Sequence, residues 1–326
     1  MNFRKLIYIS AVILAAIACK KDEETTTTPS LNGNLQIMGL PEFISPGALV
    51  TLTNKGAEHP DGEKIGYAWK VSPSMTKYDT IDVFHHKFAD TLQTYSVYCS
   101  AYASGYSSLS TVTYTTAVAP GYNGSIQGIR YNKIAADSLY VNNMQHYYKT
   151  IGTQTWTLNN IAVSGGVPFR NSELMAEIFG RYYNFESAKA ACNALDTETQ
   201  NWELPTREDW NTLEAYITGN TNETYGKTIT AAMFAPVTFN SGVMYDYWPI
   251  VGDITNGSGF SAIPVGYANT TAKSFKGYKE YATFWTSDEA TETEAYYTYL
   301  ICDQPGLFTS KGDKASFGAS VRCIRK

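Results

Sequence analysis

Apolar residues recur at every second position in short runs over residues 31–118. In ALVTL, Ala48, Val50 and Leu52 share a face; in IGYAWKV, Ile65, Tyr67, Trp69 and Val71 do; in TYSVYCSAYA, so do Tyr95, Val97, Cys99 and Ala101. Turn formers (SPG, HPDG, SGYSS) separate the runs. Period-two runs punctuated at this spacing predict an antiparallel β-sandwich over 31–118. A Pro/Gly/Asn-rich stretch then predicts a linker at 119–125. The pattern changes in a second domain over 126–326. There YYKTIGTQTWTLNNIAV reads as strand, two helices follow, then long Gly/Asn/Tyr-rich loops. Strand candidates at 281–287, 295–302 and 319–326 close the chain. The expected class is mainly β, with an α+β C-terminal domain.

The two helices carry the clearest local signals. In the first, Ala188, Ala191, Cys192 and Leu195 fall at i, i+3, i+4 and i+7 behind Asn184 as N-cap, which puts Cys192 on the buried stripe. In the second, Thr206 with Asp209 three residues on approximates a capping box, and Trp210, Leu213 and Ile217 form the apolar stripe. On the last strand Ala319, Val321 and Cys323 are expected to alternate inward. Two inward cysteines in an oxidising compartment suggest a disulfide between Cys192 and Cys323, with Cys302 as competitor for the pairing. Cys99 faces no cysteine on the opposing strand and is expected to be a buried free thiol.

The N-terminus adds a location. Arg4 and Lys5 precede an apolar run at 6–17, and small residues lead into Cys19. Twelve apolar residues in a helix span about 18 Å, short of a hydrocarbon layer of roughly 30 Å, so 1–18 reads as a signal peptide. The cysteine after small residues resembles the bacterial lipobox, which implies lipidation at Cys19. Residues 19–30 hold no apolar run able to bury a core and read as a flexible tether. Lys21-Asp22-Glu23 is similar to the lipoprotein export signal of Bacteroidota, which implies an outer-membrane lipoprotein facing outside the cell.

Charge excludes one partner class. Without Arg4 and Lys5 the 25 basic residues become 23 against 30 acidic, a formal charge of −7. Phosphate binding needs a basic footprint, so nucleic acid is not an expected partner. With 25 Tyr, 14 Phe and 6 Trp the chain is instead rich in groups suited to recognition outside the cell.

Two resemblances sharpen the fold. YAWKVSP and TYSVYCSAYA resemble the PKD and bacterial Ig-like modules, which implies a spacer. The series IGTQTWTLNNI, GRYYNFESAKAAC, WELPTREDW, GFSAIPVGY, FWTSDE and SFGASVRCIRK resembles the Fibrobacter succinogenes major paralogous domain over about 145–326. The family's short Cys-to-Trp link is replaced here by a longer one between Cys192 and Trp202. The resemblance implies a C-type-lectin-like fold in which a helix cysteine pairs with the last strand. It implies no molecular activity.

Candidate chemistry is sparse. His59 sits in a turn and is expected at the surface. His85 and His86 point to opposite faces of a strand, which makes them poor partners for one metal. No HExxH, CxxC or GxSxG occurs, so no catalytic residue is assigned, and an enzyme of the formylglycine-generating type would lack a partner for Cys302. Asp288, Glu289, Glu292 and Glu294 read as a solvated acidic edge. Against the calcium motifs of lectins, Asp288 is the remaining calcium candidate, but two oxygen ligands are missing from a site that needs six or more. No cofactor is therefore expected. Tyr245, Tyr247 and Trp248 in one loop, with Tyr278 and Tyr281 near another, offer aromatic faces for a sugar or a protein. Thr80, Thr91 and Ser138 lie in Asp-Ser/Thr-apolar triplets that resemble the O-glycosylation acceptor of Bacteroidota. Together these readings suggest a non-catalytic surface lipoprotein that binds an extracellular glycan, or, as an adhesin or assembly component, a surface protein.

Overall fold

The computed structural model describes residues 28–73, 76–79 by backbone alone, 82–119, 136–236 and 254–326. It is mainly β. The first eight strands are β1 (Asn32–Met38), β2 (Phe43–Ile44), β3 (Leu49–Glu58), β4 (Gly66–Ser72), β5 (Thr76–Asp79), β6 (Val83–Lys87), β7 (Thr94–Tyr102) and β8 (Leu109–Ala117). They make a three-stranded sheet, β1-β3-β6, and a five-stranded one, β2-β8-β7-β4-β5. Strand β2 runs parallel to β8, which departs from the wholly antiparallel expectation.

Both sheets feed one core, as the period-two runs require. Leu52 and Phe84 come from the smaller sheet, and Trp69, Val71, Val97 and Cys99 from the larger. Trp69 stacks on Phe84 with ring centroids 5.4 Å apart. Cys99 is a buried free thiol, and burial pushes its pKa up to about 12. Of the adjacent histidines, His86 is buried and His85 exposed. His59 corrects the sequence reading. It is only 8% exposed, because its ring packs edge-on against Tyr106 at 4.6 Å and its Nδ1 accepts the Asp61 N–H.

The second part opens with a five-stranded sheet, β14-β21-β11-β10-β9. Its members are β9 (Asp137–Val141), β10 (Met144–Ile151), β11 (Gln154–Thr157), β14 (Trp202–Glu203) and β21 (Ile324–Arg325). A two-stranded ribbon joins β12 (Val167–Pro168) to β13 (Arg181–Tyr182). Two three-stranded sheets follow. One is β16-β15-β20, from β15 (Tyr267–Asn269), β16 (Ser274–Lys276) and β20 (Phe317–Gly318); the other is β17-β18-β19, from β17 (Tyr281–Glu289), β18 (Glu294–Ile301) and β19 (Leu307–Asp313).

Both expected helices form. Helix α2 (Phe185–Asn193) starts where the Asn184 side chain accepts the Ser187 N–H, and it buries Ala188, Ala191 and Cys192. Helix α3 (Arg207–Asn220) has a complete Thr206–Asp209 capping box and buries Trp210, Leu213 and Ile217. Sequence reasoning missed α1 (Glu173–Phe179) and α4 (Ile229–Met233). The first is apolar on most sides, and the second is a single turn with two β-branched residues. Neither shows a stripe, and both are held by packing in the larger core.

Cys192 and Cys323 form the disulfide, with Cα atoms 5.5 Å apart. Cys302 is a free thiol whose Sγ–H donates to the Lys279 carbonyl at 3.1 Å. The expected alternation of the last strand is corrected. Only Ile324–Arg325 pairs as strand there, and every residue from 319 to 323 is buried, including the two that alternation would have turned outward, Ser320 and Arg322. Arg322 is the larger and the charged one. Its guanidinium donates to Asn160 Oδ1 (2.9 Å), to the Thr157 and Phe260 carbonyls (3.2 and 2.7 Å) and to the Ser261 carbonyl (2.9 Å). It also lies over the Phe260 ring at 4.7 Å.

Two stability measurements test this scaffold. The disulfide spans 131 residues, so replacing both cysteines by serine should cost about 4–5 kcal/mol in urea unfolding, if the chain-entropy account holds. A loss below about 1 kcal/mol would reject it. His146 on β10 is fully buried, neither ring nitrogen has a hydrogen-bond partner among the described residues, and burial lowers its pKa to about 4. On acidification the unfolded chain takes the proton first. This histidine's destabilising effect is therefore absent above about pH 6.5 and grows by up to about 1.4 kcal/mol per pH unit down to pH 4. His146→Phe should flatten that slope; an unchanged slope would assign it elsewhere.

Candidate functional site: an aromatic sheet face

The sequence-predicted site residues do not converge. Tyr245, Tyr247 and Trp248 lie outside the described residues, as do Cys19 and Thr80. Tyr278 is half-buried and packs on Phe169 and Phe179 at 4.9 and 5.9 Å, at the rim of the larger core. Thr91 and Ser138 are exposed; Thr91 Oγ1 accepts from Gln93 Nε2, and Ser138 Oγ from Gln145 Nε2. Asp288 is half-buried, and its Oδ2 accepts the Arg207 N–H at 2.6 Å, at the first turn of α3. An acidic acceptor there neutralises an amide that helix geometry leaves unpaired. Glu289 pairs with Lys189 and Lys314, and these ammonium groups hold its carboxyl below the usual range. Among the described residues no three metal-ligating side chains cluster.

Tyr281 leads to a different grouping. Pairing puts Tyr281, Thr283 and Trp285 of β17 on the same face as Tyr299 and Tyr297 of β18 and Phe308 of β19. Two further rings come from neighbouring elements. Phe317 of β20 stacks on Tyr297 at 4.5 Å, and Tyr267 of β15 stacks on Phe317 at 5.5 Å. Tyr299 stacks on Phe308 at 5.5 Å and meets Tyr281 at 6.1 Å. Trp285 is fully buried beneath this layer, with Nε1 donating to the Tyr183 carbonyl at 2.7 Å. Tyr267, Tyr281, Tyr297, Tyr299, Phe308 and Phe317 are all half-buried. Glycine makes the layer possible at one point, since a Cβ on Gly312 would stand 2.6 Å from the Phe317 ring.

The layer keeps polar capacity at its surface. Among the described residues no hydrogen bond ties down the hydroxyls of Tyr267, Tyr281, Tyr297 or Tyr299. Burial, then the neighbouring Tyr297 and Tyr281, raises the Tyr299 pKa, so the phenol stays protonated and able to donate at neutral pH. Apolar rings edged by uncommitted hydroxyls suit a ligand with both an apolar face and hydroxyl groups. Only Tyr281 was legible from sequence. The alternating Tyr297 and Tyr299 in AYYTYLIC were a usable signal, but Phe317 and Tyr267 reach the face through tertiary packing alone.

The chain belongs to the Fibrobacter succinogenes major domain family, which matches residues 123–325. No curated protein matches the chain. The quoted motifs supply much of the scaffold: Trp156, Trp202, Trp210, Trp285, Cys192, Arg322 and Cys323 are all buried. The half-exposed aromatic layer sits on a sheet those residues support.

Asp288 has a measurable structural role in this arrangement. Asp288→Ala should cost about 1 kcal/mol through loss of the acceptor at the α3 terminus. Added calcium should leave the unfolding midpoint of the wild type unchanged. A calcium-dependent rise that Asp288→Ala abolishes would instead make Asp288 a metal ligand.

Proposed function

We propose that the protein is a non-catalytic outer-membrane lipoprotein, anchored through lipidated Cys19 and facing outside the cell, that binds extracellular carbohydrate. In this reading residues 19–30 are a tether, 31–118 an Ig-like spacer and 126–326 a C-type-lectin-like domain. No cofactor is needed, and nucleic acid is not a partner. The lectin-like assignment is supported by the bond between a helix cysteine and the C-terminal segment, the pairing the family resemblance implies. The observation that carries the binding reading is the half-buried aromatic layer around Tyr281 and Tyr299, with its uncommitted hydroxyls. Sugars present an apolar ring face beside hydroxyl groups, and such a surface meets both.

Removing one aromatic contact costs about 1–1.5 kcal/mol, or roughly tenfold in affinity. Tyr299→Ala and Tyr281→Ala should each weaken glycan-array binding by about that factor with the unfolding midpoint little changed. Equal binding by wild type and both variants would reject the face as the site. One observation favours a protein ligand as the second reading. Strand β19 ends its sheet with no strand beyond it among the described residues, and an extended peptide could pair along it. Surface cross-linking that captures a protein, with no glycan signal, would select that reading.

A further inference from the structure

The N-terminal module, read so far as a spacer, contains a groove of its own. It is about 710 Å³, within the range of small-ligand sites. It lies where β6 stops short of the end of β3. Asn54 and Glu58 of β3, His59 and Glu63 of the following turn, Tyr67 of β4, and Asp82 line it.

His59 is the built part of this groove. The residue is 8% exposed, and the Tyr106 ring and the Asp61 N–H hold its imidazole from two sides. Tyr106 is itself fastened, its hydroxyl donating to Asp61 Oδ2 at 2.6 Å. Because Nδ1 accepts a hydrogen bond, the neutral ring carries its proton on Nε2, which is then a donor. Among the described residues no protein group accepts from Nε2. A protonated Nε2 offers no lone pair to a metal, so what this histidine can bond in the groove is an acceptor.

The remaining lining has the opposite polarity. Glu58, Glu63 and Asp82 are exposed carboxylates, with Lys64 the one ammonium in the lining among the described residues. Carboxylates accept from donors, whereas His59 Nε2 donates to an acceptor, and a hydroxyl group is both. Tyr67 adds a half-buried ring; Asp82 acts on its phenol, which burial first and that carboxylate second raise above the usual range.

We propose that this groove is a second ligand site, for a neutral saccharide, with His59 and the carboxylates of Glu58 and Asp82 bonding its hydroxyl groups and Tyr67 lying against its ring. The two negative charges in excess exclude acidic sugars. The site is independent of the aromatic face of the C-terminal half.

Saturation-transfer NMR on the full chain tests this, with neutral hexose oligosaccharides (cellohexaose, mannohexaose, maltohexaose), an oligogalacturonate and spermidine as separate probes. At least one neutral oligosaccharide should receive saturation, and the oligogalacturonate should not. Glu58→Gln with Asp82→Asn, both exposed positions, should weaken the neutral ligand about tenfold or more. Tyr67→Ala should do the same, and part of the signal should survive in Tyr299→Ala. The proposal is overturned if spermidine or the oligogalacturonate alone binds, or if no neutral oligosaccharide does. It is also overturned if both groove variants leave the signal unchanged; loss in Tyr299→Ala alone would leave the aromatic face as the only site.

Discussion

The buried guanidinium of Arg322 is the constraint around which the C-terminal half is organised. Taking a charge out of water costs several kcal/mol unless its donors are met. Here they are met by Asn160, by Thr157 at the end of β11 and by two successive carbonyls of the 260–261 loop. These partners lie more than 60 residues away in sequence, so satisfying one side chain brings three segments together. The next residue, Cys323, ties α2 to the same point. Further bonds complete the threading: the Thr157 N–H donates to the Cys323 carbonyl at 2.9 Å, the Cys323 N–H donates to the Thr157 hydroxyl at 2.8 Å, and the Ile161 N–H donates to the Val321 carbonyl at 3.0 Å.

The aromatic face follows from that arrangement. Strand β17 lies against the buried C-terminal segment, with the Trp285 N–H donating to the Ser320 carbonyl at 3.2 Å. Its neighbours β18 and β19 continue the sheet, with Ala295 and Leu300 of β18 buried in the cores and Tyr297 and Tyr299 on the aromatic face. Phe317, just before the buried run, folds back over Tyr297 and couples the face to the scaffold beneath. One sheet face thereby carries both a buried, hydrogen-bonded Trp285 and tyrosines that keep edges and hydroxyls at the surface.

How much of this was legible depends on how local each signal is. The Thr206–Asp209 capping box, the Asn184 cap, the stripes of α2 and α3 and the period-two runs of β4 and β7 all act within a few residues, and all appear as expected. The Cys192–Cys323 pair is long-range, yet both cysteines fall at inward positions of their patterns, which singled them out with Cys302 as the competitor. His59 read as a surface residue because a turn sequence says nothing about Tyr106, 47 positions on, whose ring covers it. Arg322 was missed for a related reason: no local pattern marks an arginine whose partners are backbone carbonyls of distant loops.

By itself the sequence determined the mainly β class, the two capped helices and the family, and it narrowed the disulfide to Cys192–Cys323 with Cys302 as competitor, which the structure leaves free. Each of these rests on periodicity, chain-neighbour chemistry or a motif series, which are properties of order along the chain. Only the tertiary structure decided which rings share a surface, which histidine is buried, and that the final segment is core throughout rather than alternating. Those outcomes depend on what packs against each side chain, and for Phe317, Tyr267, His59 and Arg322 the deciding partners come from elsewhere in the chain.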